Sequence, residues 1–141
     1  MASPNSQTSI PLQNLSTNQA IRLLAKYVGV NLNATGDNTM PILNATTYSV
    51  KDIIVVGPSI SVSTAAIGIF TAPASAGTAI LASLLLTAVT GSLTLLDQAP
   101  ATTAGQTAQN LYLRVITAQG AAATANVFVY GYDLDSNASG Y

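Results

Sequence analysis

The side chains of this sequence that can carry chemistry are five aspartates (Asp37, Asp52, Asp97, Asp133 and Asp135), two lysines (Lys26 and Lys51), two arginines (Arg22 and Arg114) and six tyrosines. Histidine, cysteine, tryptophan and glutamate are absent. General acid–base catalysis needs a group that titrates near the working pH, and nucleophilic catalysis needs a hydroxyl or thiol beside a base. No such pairing is spelled out here, so the chain reads as having no catalytic residues and as not being an enzyme. Glycoside hydrolysis would take two carboxylates flanking a bond, and the aspartates show no arrangement that suggests it. Asp133, Asp135 and Asn137 imitate the opening of a calcium loop, but Ala138 stands where that loop needs glycine and no glutamate closes it, so no metal is assigned. Gly57, Gly68 and Gly77 are isolated turn residues rather than a phosphate loop, and no cofactor is expected. Four Asn-x-Ser/Thr matches, at Asn14, Asn33, Asn44 and Asn137, are what chance produces in a chain so rich in Asn, Ser and Thr.

The scarcity of charge is itself informative. Only 6% of the 141 residues are charged, against about 25% in an ordinary soluble domain. The surface must then consist largely of Ser, Thr, Asn, Gln, Ala and Gly, which pack against a partner at little desolvation cost. That favours an obligate oligomer or an assembly component. The four cations are scattered and the net charge is −1, which leaves no basic stripe for phosphates and argues against nucleic-acid binding. The absence of cysteine excludes a disulfide scaffold and is compatible with the cytosol or with an extracellular particle.

Along the chain, residues 1–19 are polar, with no cationic segment before Arg22 and no apolar run of signal-peptide type. They read as a mobile or partner-bound arm in which Ile10, Leu12 and Leu15 are the anchor points. A single domain follows over residues 20–135, long enough to bury about 68% of its unfolded surface, and residues 136–141 form a short tail. In the domain, Lys26 to Leu32 reads as a strand, while Gln19 to Ala25 fits helix or strand. The run Asn33 to Asn38 is a turn signal in which Gly36 and Asn38 can take positive φ.

From Thr47 onward the punctuation suits an all-β domain. Tyr48 to Val56 is rich in β-branched and aromatic residues and stops at Gly57-Pro58. Ile60 and Val62 alternate with serines, and Ile67 and Ile69 precede a break at Pro73 to Gly77, so both stretches read as short strands. Leu111, Leu113 and Val115 share one face of a period-two segment, with Tyr112, Arg114 and Ile116 on the other. In the last strand Ala125, Val127 and Val129 face one way, and Asn126, Phe128, Tyr130 and Tyr132 the other. The small-residue connection Ala118 to Ala123 between these two segments fits a hairpin.

Strands Ile53 to Val56, Leu111 to Ile116 and Val127 to Tyr132 carry large apolar groups on both faces, where a sheet with one wet face should alternate more cleanly. Either the stripe Phe128, Tyr130, Tyr132 is buried against another copy, with Tyr112 alongside, or it covers a loop or core inside one subunit. The uncharged run Thr78 to Leu96 is long enough to span a bilayer. It lacks flanking Lys or Arg and interfacial aromatics, so the reading preferred over a membrane helix is a buried strand or short helix around Ile80 to Val89, a turn at Gly91-Ser92 and a strand from Leu93 to Leu96.

The segments Ile53-Ile54-Val55-Val56-Gly57-Pro58-Ser59-Ile60, Ile67-Gly68-Ile69-Phe70-Thr71-Ala72-Pro73, Gly77-Thr78-Ala79-Ile80-Leu81, Leu86-Thr87-Ala88-Val89-Thr90 and Leu111 to Leu134 together resemble the small head decoration, or cement, proteins of tailed bacteriophages. The similarity runs from about Lys26 to Leu134 and includes the phrases Leu-Tyr-Leu-Arg-Val and Val-Tyr-Gly-Tyr-Asp-Leu. The resemblance implies an all-β fold, a β-sandwich of jelly-roll type, to which the mostly irregular N-terminal arm is added without a counterpart in the shared pattern. It also implies a homotrimer on the capsid surface of a virion that bridges neighbouring major capsid protein subunits. On that reading Phe128, Tyr130, Tyr132 and Tyr112 form the subunit interface, and Ile10, Leu12 and Leu15 the capsid-contact arm. The alternative is a virion-surface module, such as a head fibre, whose tyrosines bind a receptor or carbohydrate.

Overall fold

The computed structural model describes residues 21–135 as eight strands and no helix. These are β1 (Arg22–Asn31), β2 (Gly36–Pro41), β3 (Tyr48–Val56), β4 (Ala66–Ala72), β5 (Ala76–Leu85), β6 (Leu95–Gln98), β7 (Asn110–Thr117) and β8 (Thr124–Asp133). The arm with Ile10, Leu12 and Leu15, the tail and the Asn137 position lie outside the described residues.

Two four-stranded antiparallel sheets pack together, sheet A in the order β1-β8-β3-β6 and sheet B in the order β2-β7-β4-β5. The pairs β1–β8, β2–β7, β3–β6 and β4–β5 make up one long antiparallel ribbon folded at the β4–β5 turn. Rolling that ribbon up adds the pairs β3–β8 and β4–β7, and the result is a β-sandwich with jelly-roll strand order. The expected all-β fold is thus the observed one. Leu24, Val30, Tyr48, Ile53, Val55, Val127 and Val129 of sheet A pack with Met40, Ile67, Ile69, Ile80, Leu111, Leu113 and Val115 of sheet B in a single core cluster. Each element is specified by its alternation: in β8 the buried positions are Ala125, Val127, Val129, Gly131 and Asp133, and the residues between them face outward.

Several local expectations are corrected. Residues 118–123 do not close a hairpin, because β7 belongs to sheet B and β8 to sheet A. The connection crosses between sheets and is tied to the β1–β2 turn, with the Gln119 N–H donating to the Leu32 carbonyl and the Leu32 N–H donating to the Ala123 carbonyl. Ile60 to Ser63 is a loop rather than a strand: Val62 is buried as its anchor and donates to the Val89 carbonyl at 2.9 Å, while Ile60 is left exposed. Asn38 takes no positive φ; it sits within β2 and donates from Nδ2 to the Leu113 carbonyl, whereas Gly36 does adopt φ 136°. The undecided stretch before Lys26 is strand from Arg22 on.

The run Thr78 to Leu96 divides into β5, a turn and β6, and no helix among the described residues is long and apolar enough to cross a membrane. The turn is locked by Thr94, whose hydroxyl donates to the Gly91 carbonyl at 2.6 Å and accepts the Thr90 and Gly91 N–H groups. Leu93 lies in this turn rather than in β6.

The ribbon's folding point is strained. In the turn Pro73-Ala74-Ser75-Ala76 the Ala76 N–H donates to the Pro73 carbonyl, and Ala74 and Ser75 have φ of 59° and 62°. Two successive positive φ values are the pattern of a type I′ turn, which favours Asn-Gly. Left-handed backbone costs a residue with a Cβ roughly 1 kcal/mol. Asp37 offsets part of this by accepting the Ala74 N–H at 2.9 Å while pairing with Arg114 at 3.1 Å. Ser75→Gly should therefore raise the unfolding free energy by about 1 kcal/mol, read as a rise of a few degrees in Tm.

Tyr48 begins β3 fully buried, with its hydroxyl donating to the Ala108 carbonyl at 2.6 Å. Burial pushes the phenol up from 10.0 to about 12. The unfolded phenol ionises first, so this contribution is complete below pH 10 and is lost as pH rises from 10 towards 12. Urea unfolding should show wild-type stability falling over that window by about 2 kcal/mol, with the fall much reduced in Tyr48→Phe. The same substitution should cost about 1 kcal/mol at neutral pH through the orphaned carbonyl.

Candidate interaction surface

The outer face of sheet A is built by register. Lys26 of β1 pairs with Phe128 of β8, Phe128 pairs with Ile54 of β3, and Ile54 pairs with Asp97 of β6. Directly paired residues share a face, so one row runs Lys26, Phe128, Ile54, Asp97 across all four strands. The row on one side reads Leu23, Tyr130, Asp52, and beyond it Tyr132 stands opposite Ser49. On the other side Asn126, Val56 and Leu95 form a further row. Phe128, Tyr130, Tyr132, Ile54 and Val56 are half-buried, Lys26 and Asp97 are exposed, and Leu95 is 57% exposed. The central row is thus apolar and aromatic between a cation at one edge and an anion at the other, with Asp52 in the row beside it.

Local sequence accounts for how its edge is shaped. Register shifts lie between Leu23 and Ala25 and between Tyr27 and Val30. At the second, Gly29 adopts φ 74° and its N–H donates to Oδ1 of Asn126 at 2.8 Å. The bulge leaves Val28 62% exposed beside a shallow depression of about 450 Å³ lined by Lys26, Tyr27, Val28 and Gly29.

No known family, curated protein or solved structure matches this chain. Its surface chemistry therefore rests on its own geometry. Phe128, Tyr130 and Tyr132 are brought together as expected, but Tyr112 is not with them: it faces outward from sheet B, paired with Thr39 and Phe70. One flat contact cannot cover both, since the two outer faces point in opposite directions. Ile54 and Val56 were foreshadowed by the two-sided apolar pattern of their strand. Leu23 and Lys26 had no such signal, because the bulges in β1 shift which of its residues face outward.

The charges divide into paired and unpaired groups. Among the described residues there are two ion pairs, Arg22–Asp133 and Arg114–Asp37. Lys26, Lys51, Asp52 and Asp97, all on sheet A strands, stand outside those pairs. Asp133 and Asp135, the residues resembling a calcium loop, are engaged structurally: Asp133 meets Arg22 and accepts the Asp135 N–H, while Asp135 accepts the N–H groups of Thr46 and Thr47.

Proposed function

We propose that this chain is a viral structural protein, a capsid decoration protein that binds the assembled head lattice and stabilises the shell by bridging neighbouring capsid subunits. The observation that carries the reading is the apolar outer face of sheet A, with Phe128, Tyr130 and Tyr132 at its centre, on a jelly roll in which only 6% of the full chain's residues are charged. Such a face is suited to lasting contact between proteins rather than to solvent. The resemblance of Lys26 to Leu134 to head decoration proteins supplies the partner, the major capsid protein, and the location, the capsid surface. In this reading copies of the chain associate through the sheet A face, and the arm carrying Ile10, Leu12 and Leu15 reaches the lattice. A ligand that binds only the assembled shell stabilises it by mass action, and repetition over many symmetric copies lets modest contacts act by avidity.

The carbohydrate-binding alternative draws less support. Tyr112, Tyr130 and Tyr132 lie on the outer faces of the sheets and Tyr48 is buried, while the shallow depression that Tyr27 lines has Lys26, Val28 and Gly29 beside it and no cluster of carboxylates or amides. The test is co-sedimentation of the purified full chain with empty heads of the phage that encodes it, alongside its unassembled major capsid protein. Retention on heads but not on unassembled subunits, with a raised temperature of head disruption, is the expected result. Failure to bind heads at saturating concentration would overturn the proposal.

A further inference from the structure

The outer face of sheet A is complementary to itself. Its central row carries Lys26 on the β1 edge, Phe128 and Ile54 in the middle, and Asp97 on the β6 edge. Neither charged group belongs to an ion pair among the described residues, and both are exposed beside half-buried apolar neighbours. A two-fold axis parallel to the strands, lying in the plane of contact, turns this row over and lays it on itself in reverse. Lys26 then lies over Asp97 of the second copy, Asp97 over its Lys26, and Phe128 over its Ile54. In the adjacent row Asp52 comes over the second copy's Tyr130, placing an acceptor by a phenol. A two-fold axis in that plane perpendicular to the strands lays each strand on its own copy, so it never brings Lys26 to Asp97, and when it runs along the central row it sets Lys26 against Lys26 and Asp97 against Asp97, which like charges oppose. Charge therefore selects one of the two ways of stacking the face.

We propose that two copies of this chain pair face to face through sheet A about a two-fold axis parallel to its strands, with reciprocal Lys26–Asp97 contacts fixing the register. The proposal rests on the reading above that copies meet through this face, and it replaces the trimer implied by the resemblance with an isologous pair. The twelve outward positions of these rows, each about 4.8 Å by about 6.8 Å, give roughly 400 Å² per copy, or roughly 800 Å² in total. That lies below the usual size of specific interfaces, so the pair should be weak, held in register by its charges and dissociating in the high-micromolar range.

The experiment is sedimentation equilibrium of the full chain over roughly 1 μM to 1 mM, in wild type, Lys26→Asp, Asp97→Lys, the double variant and an equimolar mixture of the two single variants. Both positions are exposed, and circular dichroism checks that each variant keeps its β signature. Wild type should show a monomer–dimer equilibrium. Each single reversal creates two like-charge contacts and should raise the dissociation constant roughly 100-fold or more. In the mixture, one chain presents two acids and the other two lysines, so a mixed pair should return near wild-type affinity, as should the double variant. A wild type that stays monomeric throughout, a mass of three chains, or single variants that pair as wild type does would each overturn the two-fold arrangement. Head binding by a monomer or trimer would leave the decoration reading standing, whereas a dimer that ignores heads would remove that reading and keep the pair.

Discussion

Gly131→Ala should destabilise the domain by about 3 kcal/mol or more, although it adds one methyl group to the middle of a strand where alanine is ordinarily tolerated. Gly131 lies in β8 between Arg22 of β1 and Val50 of β3. A Cβ there would clash with the Ser49 carbonyl oxygen and would sit 3.0 Å from its carbon and 2.8 Å from Cδ1 of Leu24. Ordinary contact distances for carbon are about 3.5–4 Å, so β3 and β8 would have to part by more than an ångström. The Leu24 side chain, fully buried in the core, would have to leave its place as well. The obstructing atoms are backbone, and the central strand pair of sheet A cannot yield without breaking its ladder next to the Val50/Asp52 irregularity. Overpacking of a core commonly costs 1–3 kcal/mol, and a clash with backbone belongs at or above the upper end. Against a total stability of about 5–15 kcal/mol, a loss of 3 kcal/mol or more should appear as a collapse of the urea midpoint or failure to obtain folded protein. Gly91→Ala is the control: nothing lies within 4 Å of its Cβ position and its φ is not positive, so that variant should be neutral or slightly stabilised.

Arg22→Met should lower stability by about 3 kcal/mol while keeping most of the aliphatic bulk. Arg22 starts β1, and its guanidinium joins three segments. It donates to the Leu43 and Asn44 carbonyls and pairs with Asp133 at 3.3 Å. The Asp133 side chain is 9% exposed and keeps its bond from the Asp135 N–H, so removing the cation takes the counter-charge from a largely buried carboxylate and the donor from the part-buried Leu43 carbonyl. Breaking a buried pair from one side costs more than the pair contributes, because the remaining charge has no water to return to. Arg22→Lys should recover only part of the loss, since a single ammonium cannot reproduce the fork that spans these acceptors.

Asp135 extends the same cluster and gives it a pH dependence. Its interaction with the Asp133 side chain, aided by the Thr47 and Thr46 N–H bonds, outweighs partial burial and holds its carboxyl well below the usual carboxylate range. The folded pKa is thus below the unfolded value of 3.8. The stabilisation is present above that value and is lost as pH falls through it towards the folded pKa. Acid titration followed by circular dichroism should show wild type losing stability below about pH 4, with a shallower loss in Asp135→Asn.

The strands that were legible in sequence are those whose two faces differ most. Tyr48–Val56 has the bounds expected of it because Gly57 and Pro58 end it chemically, by a left-handed φ and a missing N–H donor. In β7 and β8 the inward and outward sets are those given by period-two alternation, since each inward position fills the core. The segment Ile60 to Ser63 misled because a loop pinned by one buried valine has the same local pattern as a short strand. Residues 118–123 misled for a different reason: small residues permit a tight hairpin and a crossover equally well, and only the docking of Leu32 against this connection selects the crossover.

Composition and alternation by themselves pointed to an all-β domain, with Gln19 to Ala25 and Ile80 to Val89 left between helix and strand, and put Phe128, Tyr130 and Tyr132 together on the face opposite Ala125, Val127 and Val129. Those properties depend on residue type and a spacing of two, both of which are local. The tertiary structure alone decided that Tyr112 belongs to the opposite face, that Gly131 must lack a side chain, and that Lys26 and Asp97 bracket one apolar row. Each of these depends on register between strands distant in sequence, and in β1 on bulges that change which residues face outward. Local pattern carries no record of such pairings, because they are set by how the rolled ribbon closes on itself.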